Sequence, residues 1–138
     1  MTPTPTIAEE LLSLLARVAA QSRLPRVRAL HLPRPECLDS RRGEFCALEL
    51  DDGTLGLAFV LLGDTWARLA EGGGAAGLHG ADALDLARRY ASDDAVDRTL
   101  GMAAINALSR CAFDRAGYVP PTSADSIGEL DPGPADHV

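Results

Sequence analysis

The stretch from Glu44 to Leu62 constrains this chain more than any other, because it can fold in very few ways. Cys46, Leu48 and Leu50 alternate with other residues, Asp52-Gly53 supplies a tight turn, and Thr54 to Leu62 follows as a second apolar run. Alternating runs joined by an Asp-Gly turn predict a β-hairpin. In the second run Leu55, Leu57, Phe59 and Leu61 are large, whereas Gly56, Ala58 and Val60 are small. Successive strand side chains point to opposite faces, so both faces of this strand are apolar and both should be covered. One layer of helices covers only one of them, and the other face calls for a partner surface.

The remaining elements follow from spacing and breakers. Thr6 and Glu9 form a capping-box pattern, and Ile7, Leu11, Leu14, Leu15 and Val18 recur at helical spacing to about Gln21. Pro25 interrupts, after which Arg26 to Leu32 reads as a short strand ending at Pro33 and Pro35. Thr65 to Glu71 suits a brief helical turn, and the Gly-rich stretch from Glu71 to Gly80, which includes His79, lacks packing side chains and reads as a mobile loop. Ala81 to Ala91 forms a compact helix. Ser92, Asp93 and Asp94 then cap a longer one running to about Phe113, closed by Gly117. Its stripe of Val96, Leu100, Ala103, Ala104, Ala107, Leu108 and Cys111 is rich in small residues and implies close backbone approach to a neighbour. From Val119 onward Pro, Gly, Ser and Asp dominate, as in an interdomain linker. The fold class is therefore α+β: an N-terminal helix, a three-stranded antiparallel meander over the first half, then a helical part, with 1–118 as the domain and 119–138 as tail.

Composition narrows function. The chain has 138 residues, enough for one core without disulfides or metals. Twenty acidic against thirteen basic residues give a net charge of −7, which opposes nucleic acid and anionic membrane as partners. Every basic residue is Arg and none is Lys, which rules out Schiff-base chemistry and a phosphate-loop lysine in this chain. Its apolar runs are too short to span a bilayer, and the N-terminus lacks the pattern of a secretory signal, so a cytoplasmic location is expected. Cys37, Cys46 and Cys111 are odd in number and never in a CxxC pair, as expected of reduced thiols.

The element order, with Gly56-Leu-Ala-Phe-Val-Leu-Leu, Gly80-Ala-Asp-Ala-Leu-Asp-Leu-Ala-Arg and above all Gly101-Met-Ala-Ala-Ile-Asn106-Ala-Leu, resembles the putative heavy-metal chelation family over roughly residues 7 to 118. That resemblance implies an N-terminal domain like that of enolase, followed in bacterial members by a Rossmann-like C-terminal domain. The tail Leu130-Asp-Pro-Gly-Pro-Ala-Asp-His-Val138 is similar to the lead-in to that second domain, which is then expected on a separate chain. A transition-metal ion or a metal-bound small molecule is the ligand the resemblance implies.

Candidate site residues lie mainly on the last helix. At 100° per residue Asn106 shares a flank with Thr99 and Arg110, giving a polar strip suited to an interface or a ligand, or else a solvated flank. An Asn inside so apolar a run needs a hydrogen-bond partner. His31, His79 and His137 are never at the i, i+3 or i+4 spacing that sets two ligands on one helical face. His31 is the metal-ligand candidate, against a strand histidine satisfied by a neighbour. Gly72, Gly74 and Gly77 match GxGxxG, but the run follows a helix-like segment, so the phosphate-cradling geometry is not expected. Asp93, Asp94 and Asp97 resemble a carboxylate cluster, yet their place at a helix start is accounted for by the helix dipole.

No catalytic residue emerges. The expected function is a non-catalytic binding and assembly module packing on a Rossmann-like partner domain to form a metal or small-metabolite cleft. The alternative is a small enzyme whose anion site, built from Arg side chains, is completed at a homodimer interface.

Overall fold

A computed structural model describes residues 3–72, 77–122, 124 and 133–135. Helix α1 (Ile7–Gln21) begins at Thr6, whose side chain accepts from the Glu9 amide while the Glu9 carboxylate takes the Thr6 N–H at 2.7 Å. The capping box is thus present. Its apolar stripe is less used than expected: Leu15 is buried, whereas Ile7 and Leu14 are exposed. Strand β1 (Val27–His31) leads through a short 3-10 turn to β2 (Phe45–Leu50) and β3 (Leu55–Phe59), in the sheet order β1-β2-β3, antiparallel throughout. The α+β expectation holds.

The hairpin shows why its register is fixed. Gly53 has φ of 86° and its N–H donates to the Leu50 carbonyl, while the Asp52 carboxylate accepts from the Thr54 N–H at 2.9 Å. A left-handed residue closing a three-residue loop demands glycine at that place. Leu48 then faces Gly56 and Cys46 faces Ala58. This inner face carries Cys46, Leu48, Leu50, Ala58 and Val60, all buried.

Helices α2 (Thr65–Glu71), α3 (Ala83–Arg88) and α4 (Ala95–Ala116) follow, α3 continuing into a 3-10 turn over Arg89–Ala91. The last helix runs three residues beyond the expected Phe113, to Gly117, whose φ of 64° stops it. Nine of its residues are buried, and they form the centre of the core with the inner sheet face. The small residues have the expected reason. A Cβ on Gly56 would land on the Ala103 carbonyl and the Ala107 nitrogen, and one on Gly101 would meet the Tyr90 backbone. Helix and strand therefore touch backbone to backbone.

The two edges of the sheet are treated differently. Along β1, Val27 donates to the Ala81 carbonyl at 3.0 Å, Gly80 donates to the Val27 carbonyl at 2.8 Å, and the His79 Nδ1–H reaches the Arg28 carbonyl at 2.9 Å. The part of the Gly-rich stretch expected to be mobile is thus, over its described residues 77–80, tied to a strand; residues 73–76, Gly74 of the GxGxxG match among them, lie outside the described residues. The physical reason is that an edge strand presents unpaired backbone groups, which even a side-chain-poor segment satisfies. At the opposite edge, β3 has no further strand among the described residues.

Candidate functional site: an open sheet face and the polar strip beside it

Hydrogen-bond alternation decides where β3's free backbone groups point. Pairs 46–58 and 48–56 exchange bonds with β2, in phase with the Val60 N–H to Glu44 and Leu50 N–H to Thr54 bonds. The amides and carbonyls of Leu55, Leu57 and Phe59 consequently face away from β2. Their side chains stand on the sheet face opposite the one that α4 covers, although Phe59, at the strand end, also borders a cleft beside Thr99. Leu55 and Leu57 are each 52% exposed, Phe45 49% and Phe59 40%, and the two phenylalanine rings meet edge-on at 5.8 Å. As the sequence implied, the helices cover one face of this strand, and the large residues on the other stand open, where a partner surface is called for.

The polar strip of α4 runs along that same edge. Asn106, itself exposed, donates through Nδ2 to the Leu57 carbonyl at 2.7 Å, so the partner sought in the sequence is the strand backbone. Arg110 borders Gly53, Thr54 and Leu55 and bonds through Nε to Asp114 at 3.2 Å. Thr99, at the other end, is 7% exposed and lines a cleft with Phe59 and Leu62. The three residues therefore share one side of α4 but do not converge on one point.

His31 stands on the open face at the β1 side. Its Nε2–H donates to Glu49 at 2.8 Å, and Arg28 reaches the other oxygen of that carboxylate at 3.1 Å. The His31 hydrogen bond, with Arg28 beside it, holds the Glu49 carboxyl below its usual value. A carboxylate already shared by an imidazole and a guanidinium is a poor metal ligand. His79 is spent on the β1 edge, and His137 lies outside the described residues.

Asp94 is the N-cap of α4, accepting from the Asp97 N–H at 3.0 Å and from Arg68 at 2.8 Å. Asp97 accepts from the Ser92 hydroxyl at 3.2 Å. These two carboxylates are structural, as the sequence suggested. Asp93 lies outside the cap and lines the Thr99 cleft instead, with Arg98. Sequence reasoning did not single out Arg98, and it set Asp93 down to the helix start with Asp94 and Asp97; the signal was that one N-cap can use one aspartate, which leaves a spare.

Fold and site define a small α+β domain, open on one sheet face. The chain belongs to the family described as putative heavy-metal chelation, which matches residues 39–109, just over half of its length. No curated protein and no solved structure matches it. No described helix is long and apolar enough to cross a membrane.

The family description invites a test of the donors. Among the described residues no three of His, Cys, Asp or Glu gather as a metal would require. Cys46 and Cys111 are buried, and burial pushes both thiols up, away from the thiolate a soft metal needs. The described residues do not fit a chelating centre of their own.

Proposed function

We propose that this chain is a non-catalytic binding and assembly module, whose open sheet face docks on a Rossmann-like partner domain so that the junction forms a metal or small-metabolite cleft. The single observation that supports it is the outward row of Phe45, Leu55, Leu57 and Phe59, beside a β3 edge with no further strand among the described residues. Large contiguous apolar surface rimmed by polar groups marks an interaction site. Covering each of these side chains contributes on the order of 1 kcal/mol or more. Arg28, His31 and Glu49 on one side and Asn106 and Arg110 on the other form the rim. Because this chain's described donors do not make a metal centre, any metal in the cleft takes most of its ligands from the partner. The cytoplasm, where reduced thiols persist, suits three free cysteines.

The enzyme alternative finds less support, since Arg110 is already bonded within its own helix to Asp114. Co-expression with a Rossmann-like chain encoded beside it tests the assembly reading. A stable heteromer that Leu57→Asp disrupts is expected; a chain that stays monomeric in its presence would count decisively against the reading.

A further inference from the structure

The cleft between the end of β3 and the start of α4 does not depend on any partner, because this chain alone lines it. Its volume is about 350 Å³. That is at the small end of ligand sites, of roughly 300–1,000 Å³, and suits a molecule of few heavy atoms. Phe59, Leu62 and Met102 give it apolar walls, and four of its lining residues carry polar groups: Tyr90, Asp93, Arg98 and Thr99.

Thr99 is more than nine-tenths buried, yet its hydroxyl makes no hydrogen bond among the described residues. No fully enclosed side-chain oxygen or nitrogen is left unpaired among them, so that hydroxyl keeps some exposure, and Thr99 is one of the residues lining the cleft. A polar group in so apolar a place is expected to have a partner. Arg98 and Asp93 are also uncommitted. Six ion pairs join described residues, and neither is in one; Arg98 lies only over the Tyr90 ring, at 6.0 Å from its centroid. Two opposite charges thus border one cleft without neutralising each other.

A ligand that is only an anion would leave Asp93 opposed, and one that is only a cation would leave Arg98 opposed. A zwitterion with an apolar body satisfies both. We propose that this cleft binds a free apolar α-amino acid, its carboxylate on Arg98 and the Thr99 hydroxyl, its ammonium on Asp93, and its side chain against Phe59, Leu62 and Met102.

The test is a two-dimensional NMR titration of the 138-residue chain with L-leucine, and in parallel with 4-methylpentanoate and 3-methylbutylamine, which each keep one charge. L-Leucine should shift the Thr99 and Met102 resonances and bind more tightly than either analogue. Arg98→Gln and Asp93→Asn, both at exposed positions, should each weaken it about tenfold, the loss expected of one charge-assisted hydrogen bond. Equal binding of either analogue, shifts confined to Leu55 and Leu57, unchanged affinity in both variants, or no shift at millimolar L-leucine would each overturn the assignment. None of these results bears on whether the open sheet face docks a partner.

Discussion

Asn106 reaches across from α4 to hold the Leu57 carbonyl at 2.7 Å, occupying the middle of the free edge of β3. A helix residue thereby does for one strand position what a neighbouring strand would do. Asn106→Ala should destabilise the fold by about 1 kcal/mol, the usual net value of such a bond. It should also promote edge-to-edge association. Urea denaturation reads the first effect and sedimentation velocity the second; a variant as stable and as monodisperse as the parent would contradict both.

Gly56→Ala introduces a methyl where α4 already presents backbone atoms, which cannot swing aside as a flexible side chain can. Overpacking of this kind costs about 1–3 kcal/mol. The midpoint of chemical unfolding should fall accordingly, and Gly101→Ala should behave alike against Tyr90. Ala at Gly77, where an added Cβ has open space, is the control and should change little.

Leu57→Asp and Phe59→Ser alter side chains about half in solvent, so the isolated chain should lose little stability. Association through the sheet face should nevertheless vanish. Measuring the two quantities on the same variants separates a docking surface from a misread core: a large loss of unfolding free energy would mean that these side chains are packed after all.

Acid should weaken the fold through groups whose carboxyls lie below their ordinary values in the folded chain. Glu49 is held down by His31 and then Arg28, Glu9 by the Thr6 amide and hydroxyl, and Asp94 by Arg68 and the Asp97 amide. A depressed folded-state value means that the unfolded chain takes up the proton first. Their contribution is complete above the ordinary values of 4.5 for Glu and 3.8 for Asp, and is lost as pH falls below these through the folded ones. The urea midpoint should be flat from neutrality to about pH 5 and then decline, and Glu49→Gln should make the decline shallower.

Thiol reactivity should divide the three cysteines. Cys37 is partly accessible in its 3-10 turn, whereas burial raises both Cys46 and Cys111 and shields them. Brief alkylation of the native chain near neutral pH should therefore label Cys37 first, with the others modified only after unfolding. Mass spectrometry of the digested protein distinguishes the sites.

Much of the fold could be read from single residues with strong local demands. Thr6 and Glu9 marked the start of α1, Asp52-Gly53 set the hairpin register, and the small residues of α4 foretold its backbone contact with Gly56. Less could be read where the deciding interactions carry no side-chain signature. The sealing of β1 by residues 79–81 is mostly backbone bonding, and a run of glycines announces only freedom. Helical spacing put Thr99, Asn106 and Arg110 on one flank, but periodicity cannot say what that flank meets. Thr99 is enclosed, Asn106 is bonded to a strand and Arg110 to its own helix. Similarly, Ile7 and Leu14 kept the right period in α1 yet found no surface to cover them.

One border of the sheet is bonded by residues 79–81 where β1 begins, whereas the other is met by a single side-chain amide, so β3 is the border with more backbone left to offer. A polypeptide that lengthens it next to β3 must compete with Asn106 for the Leu57 carbonyl. The two borders of so small a scaffold are thus unequal before any partner's sequence matters.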